Sequence, residues 1–115
     1  MKELSSKITY KDKDYKLVFN LNVMEEIQDE YETIDKWGSL TDGKSGEVNI
    51  KALIFGITAM INEGIEIENE EEGKNDPPIS HKKVARMISE IGFSKVTKDM
   101  NDLVVESVKS DEKNE

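Results

Sequence analysis

Apolar residues recur at every second position near the start of the chain and at three- and four-residue steps afterwards. A short sheet followed by helices is the architecture this pattern predicts. Ile8, Tyr10, Tyr15, Leu17 and Phe19 alternate with Thr9, Lys16 and Val18. That period of two predicts an antiparallel hairpin, with strands over 7–10 and 15–19. The polar run Lys11-Asp12-Lys13-Asp14 makes the turn, and no Asn-Gly or Asp-Gly fixes its type. Lysines around the hairpin make it the least acidic part of the chain and protect its edge from further pairing.

Helical periodicity begins at once. Asn22 is placed as an N-cap, with Glu25 three residues later. Met24, Ile27, Tyr31, Ile34 and Trp37 form a stripe, which predicts an amphipathic helix over 23–36. Residues 38–47 read as a loop. The most apolar segment follows, capped by Asn49 and ended by Gly64, with Ile50, Leu53, Ile54, Ile57, Met60 and Ile61 on one stripe. It is the expected central buried helix. Gly56 inside it costs up to about 1 kcal/mol relative to alanine, which close packing of a neighbouring element would explain.

Residues 66–78, acidic and then broken by Pro77-Pro78, read as a solvated, mobile connection. Ser80 caps a further helix with Val84, Met87, Ile88 and Ile91 on its stripe and Gly92 at its end. Phe93 is placed for the apolar contact that accompanies a glycine C-cap. Ser94 caps a last helix carrying Val96, Met100, Leu103, Val104 and Val108. The expectation is α+β: an N-terminal antiparallel β-hairpin followed by about four α-helices. A single domain spans 1–110, and 111–115 is a charged flexible tail.

Composition narrows what such a domain does. At 115 residues it is one domain by length. Its charged content of 36% exceeds the usual ~25%, so much of the surface is ionic. The net charge of −9 works against nucleic acid and anionic membranes, and permits a basic protein partner or simple solubility. The absence of cysteine excludes disulfides and thiolate metal sites. The N-terminus has no apolar signal region, and no apolar run reaches the ~20 residues that span a bilayer. The chain reads as soluble and cytosolic.

Catalytic chemistry has little to stand on. His81, the only histidine, sits beside Lys82 and Lys83 in the first turn of a predicted helix, without partners for catalysis or metal binding. No glycine-rich phosphate loop or nucleophile elbow is present. The loop around Gly43 and Gly46 fails as a calcium loop in both registers. One puts Thr41, Gly43 and Ala52 at carboxylate positions, and the other puts Gly38, Leu40 and Asn49 there. The expectation is a non-enzyme with no cofactor, metal or small-molecule substrate. The cluster Glu66, Glu68, Glu70, Glu71 and Glu72 reads as a solvated run, as does the acidic face around Glu25, Glu26, Asp29 and Glu30. A helix-turn-helix reading of 81–108 meets Asp99, Asp102 and Glu106 on the second helix, where DNA needs cations. Met24, Met60, Met87 and Met100 fall on apolar stripes, which suits either core packing or an adaptable surface.

The segment ITYKDKDYKLVFNLNVMEEIQDEYETIDKW resembles the N-terminus of tail assembly chaperones from long-tailed bacteriophages and prophages of Gram-positive bacteria. Members typically begin with a hairpin "I-x-x-x-G-K-x-Y-x-L-x-F" and continue into a "D-x-N-A-M-x-x-[IL]-E-x-x-[YF]" helix. The matching positions are Ile8, Lys13 or Lys16, Tyr15, Leu17 and Phe19, then Asn22, Met24, Ile27 and Tyr31. The chain departs at Asp12 and Asp14, where glycine is common, and at Val23, where a small residue is usual. The apolar helix before an acidic connection, and the helix around Val84, Met87 and Ile88, extend the likeness over about 7–108.

The resemblance implies a chaperone that binds and solubilises the tape measure protein and helps recruit tail-tube subunits. It would act in the cytoplasm of the bacterial host and be absent from the mature virion. It implies a homo-oligomer whose partners are the tape measure and tail-tube proteins, without nucleic acid or membrane. On that reading a groove between the central and C-terminal helices is expected to present Met60, Met87 and Met100 to the client. Two other classes stay open: an acidic regulator or DNA mimic that binds a basic protein, and a small helix-turn-helix-type regulator.

Overall fold

The computed structural model describes residues 5–44 and 46–113, the last five as backbone alone. Two strands, β1 (Ser5–Tyr10) and β2 (Lys13–Val18), pair antiparallel with Ile8 opposite Tyr15 and Ser6 opposite Leu17. Five helices follow: α1 (Leu21–Tyr31), α2 (Ile34–Thr41), α3 (Ile50–Glu72), α4 (His81–Ile91) and α5 (Phe93–Lys113). The fold is α+β, a hairpin and a helical body, with one helix more than the periodicity predicts. α5 keeps a helical backbone to Lys113, and the remainder of the tail expected at 111–115 lies outside the described residues.

The hairpin turn is two residues long rather than four. Lys11 and Asp12 both take positive φ, 49° and 64°, which matches the right-handed twist of the strands. Asp14 therefore enters β2 opposite Thr9. There it accepts from Thr9 Oγ1 at 2.6 Å and from Lys7 Nζ at 3.4 Å. These contacts, the Thr9 hydrogen bond first, hold the Asp14 carboxyl below its usual range.

α1 is capped by Asn20, not Asn22. Asn20 Oδ1 accepts from Val23 N–H at 3.2 Å. The helix starts this early because Phe19 is already in the core, and Val23 and Ile27 must follow it there. The amphipathic helix expected over 23–36 breaks in the middle. Glu32 adopts φ 74° and ψ −47°, and Thr33 N–H donates to Tyr31 C=O at 2.9 Å. That is a γ-turn of the strained, positive-φ kind. Thr33 then caps α2, its Oγ1 accepting from Lys36 N–H at 3.0 Å. α2 runs to Thr41, so the first residues of the predicted 38–47 loop are helical.

The break aims Trp37 into the core. Its indole is fully buried, stacks at 6.4 Å on Phe19, and donates from Nε1 to Ala52 C=O at 2.9 Å. The ring lies against Gly56: a Cβ built there would fall 2.4 Å from Trp37 Cζ2. Gly56 is thus the close-packing site that its helical position suggests.

Gly64 does not end α3. The helix continues to Glu72 and closes on Gly73, which is in the left-handed conformation. Gly64 lies instead where β2 crosses, and a Cβ there would sit 2.8 Å from Lys16 C=O. The acidic stretch expected to be a mobile connection is therefore helical through Glu72, with its carboxylates in solvent. α4 begins and ends as its sequence predicts, with Ser80 Oγ accepting from Lys83 N–H and Gly92 at the C-cap. Ser94 is not a cap, since it lies inside α5. α5 starts at Phe93 itself, directly after Gly92, leaving the ring 37% exposed.

Two substitutions test this packing. Gly56→Ala should lower stability by about 2 kcal/mol in urea titration, because displacing a core indole outweighs the gain in helix propensity. Glu32→Gly should raise stability by about 0.5 kcal/mol or more. Relief of the turn strain exceeds the added unfolded-state entropy and the lost exposed pair with Lys36.

Candidate functional site: a lysine-rimmed cleft

Met60, Met87 and Met100 do not form a client groove. They are 0%, 1% and 0% exposed, packed with Leu17, Ile57 and Val84 in one continuous core. The stripes of α3, α4 and α5 turn toward one another and toward the hairpin, so the methionines fill the centre where those faces meet. Core packing is the role these three side chains have.

The concave surface lies elsewhere. A cleft of about 810 Å³ opens between the hairpin, α3 and the segment 76–80. Its floor is apolar, from Tyr15, Ile61, Ile65 and Ile79, and Pro77 and Pro78 form part of the wall. Its volume is within the range of small-ligand and peptide sites.

Two asparagines hold that wall. Asn62 Nδ2 donates to Ile79 C=O at 3.2 Å while Ile79 N–H donates to Asn62 Oδ1 at 2.7 Å. Asn69 repeats the arrangement with Asp76, at 3.0 Å and 3.1 Å. Each carboxamide presents the donor and acceptor that a neighbouring strand would present. Seven residues separate the two, or about 10 Å along the helix, so the proline segment is fixed beside α3 at two points. A connection read from composition as mobile is a structural wall.

Charge is unevenly spread along the cleft. At one end, Glu68 and Asp76 gather with Glu72 around Lys74, whose ammonium is pushed above its usual pKa, chiefly by its hydrogen bond to Glu72. At the other, Lys13 Nζ and Lys83 Nζ lie 5.1 Å and 6.0 Å from the centre of the Tyr15 ring. Lys7 and Lys16 also border the cleft. The hairpin lysines, read from sequence as edge protection, thus share a site with Lys83 from the start of α4. Their clustering in a chain of net charge −9 was the available signal. Asn62 and Asn69 gave none, because nothing marks a helical asparagine as a strand substitute.

A second polar group is structural. The Glu63 carboxylate is 6% exposed, and its Oε2 accepts from Asn20 Nδ2 at 2.7 Å and Asn22 Nδ2 at 2.9 Å. It thereby ties α3 to the positive end of α1. Nearby Glu26 has its carboxyl raised above the usual value, first by desolvation and then by Glu63, Glu66 and Glu25.

The remaining sequence candidates stay apart from the cleft. His81 is exposed at the start of α4 and meets Phe55 edge-on at 6.1 Å. In the calcium-like loop, Asp42 Oδ1 accepts from Lys44 N–H at 2.8 Å. Among the described residues no group of three or more histidine, aspartate or glutamate side chains is placed to hold a metal ion. No helix among them is long and apolar enough to cross a membrane.

No family model, curated protein or solved structure matches the chain.

The Glu26 carboxyl yields a pH test. Its folded pKa exceeds the unfolded one, so the folded state binds more protons, and this group's contribution to stability falls as pH rises through the window just above 4.5. Glu26→Gln should therefore raise the urea midpoint at pH 7, with the gain shrinking as the pH is lowered through that window.

Proposed function

We propose that the chain is a tail assembly chaperone of the long-tailed phage type, which binds and solubilises the tape measure protein and helps recruit tail-tube subunits in the host cytoplasm. The carrying observation is the cleft: an apolar floor within an ionic rim, walled by a segment fixed in place by Asn62 and Asn69. A chaperone for apolar-rich segments needs such a surface on a body that stays soluble, and the net charge of −9 serves that solubility. The order of hairpin and capped helix that carries the family likeness supports the same reading, as does the hairpin's place in the cleft. The client surface moves from the buried methionines to the half-buried Ile65 and Ile79. Self-association along a long client belongs to this reading.

The helix-turn-helix alternative gains nothing from α5. Lys95 and Lys98 pair along that helix with Asp99 and Asp102, at 2.8 Å and 2.7 Å, which neutralises the cations a DNA-reading helix would present.

Co-expression with a phage tape measure protein tests the reading. The wild-type chain should carry that protein into the soluble fraction and co-purify with it. Ile65→Ser, shown to be folded by circular dichroism, should lose most of that effect. A client that stays insoluble with the wild-type chain would refute the assignment.

A further inference from the structure

The end of the cleft at Tyr15 holds two ammonium groups around one ring. An exposed cation over an aromatic face gains about 0.5–1 kcal/mol, and a second cation at the same ring adds mutual repulsion to that gain. Lys7, Lys36, Lys74, Lys95 and Lys98 each have a carboxylate within 4 Å. Among the described residues, Lys13 and Lys83 have none, a condition they share with Lys11, Lys44, Lys51, Lys82 and Arg86. What sets these two apart is that both border the cleft and both lie within about 6 Å of the centre of one ring. The cleft's own acids offer no relief. Asp14 is engaged by Thr9 and Lys7, and Glu68 and Asp76 stand at the other end, around Lys74.

Beside this cation pair runs an apolar floor whose accessible part is Ile65 and Ile79. The combination is one-sided: positive at the Tyr15 end, apolar along the middle, negative at the far end. Resting on the reading of the cleft as a client surface, we infer that it takes a short peptide segment in which one acidic residue adjoins aliphatic side chains. The carboxylate pairs with Lys13 and Lys83 at the Tyr15 end, clear of the ring's negative face, and the aliphatic groups lie on the isoleucines. Glu68 and Asp76 disfavour a second acid at the other end.

A short fluorescent peptide with one glutamate followed by aliphatic residues is the probe, read by anisotropy against the full chain. Counterparts replace the glutamate with lysine or the aliphatics with serine. The parent should bind, and both counterparts should bind at least about 10-fold more weakly. The double variant Lys13→Gln/Lys83→Gln should lose about as much, while Lys98→Gln, on the exposed face of α5, should match the wild type. Equal binding by the lysine counterpart, or by the double variant, overturns the inference. Displacement of the peptide by millimolar inorganic phosphate also overturns it, since the lysines would then form a small-anion site. In the co-expression assay, a client solubilised equally by the double variant would sink this inference and leave the chaperone reading standing. Peptide binding that depends on both lysines, without client solubilisation, would do the reverse.

Discussion

Trp37 can occupy the core only where a helix offers it bare backbone, and Gly56 is that place. The indole fills the space a side chain would take and donates to Ala52 C=O one turn earlier. Much else follows from seating it. α2 must approach α3 at an angle that a continuous helix from α1 would not allow, so the chain breaks at Glu32 and accepts a strained turn. Phe19, stacked on the same ring, fixes where β2 ends and obliges α1 to begin at once. The hairpin is thereby held against α3, where Gly64 lets the carbonyl of Lys16 come close.

Asparagine does several different jobs on this frame. Asn20 and Asn49 cap helices. Asn20 and Asn22 together satisfy the buried Glu63 carboxylate, which would otherwise be a costly orphan charge. Asn62 and Asn69 stand in for strand edges, and Asn101 reaches Thr41 C=O at the end of α2. Apart from the two caps and the Asn69 pair, these contacts join residues 17 to 60 positions apart, and they organise the polar half of the structure much as Trp37 organises the apolar half.

The strands, the start of α3 and the whole of α4 were legible because local signals and tertiary demands agree there. Period two, Asn49, Ser80 and Gly92 all say what the packing also requires. Failures came where one residue type serves two ends. Gly64 has the look of a helix stop, but its missing side chain was needed for the crossing of β2. Thr33 has the look of a helix-interior residue, yet it restarts a helix. Asn22 is as good a cap as Asn20 by composition, and only the burial of Phe19 decides between them. The methionine stripes were read correctly as apolar, but periodicity cannot distinguish a face turned to the core from one turned to a partner. The cleft was the least legible feature, since its floor, rim and wall come from three separate parts of the chain.

The way the proline segment is attached has a thermodynamic consequence. A strand in a sheet is released only when a ladder of coupled bonds gives way. Here each anchor is one carboxamide making two bonds, each worth about 0.5–1.5 kcal/mol net, and no ladder links Asn62 to Asn69. Releasing the wall thus takes a small part of the roughly 5–15 kcal/mol that unfolds a domain. The tip near Asp76 lets go independently of the root at Ile79. The cleft has a packed floor and a side held by separable anchors, whose release leaves the core around Trp37 untouched.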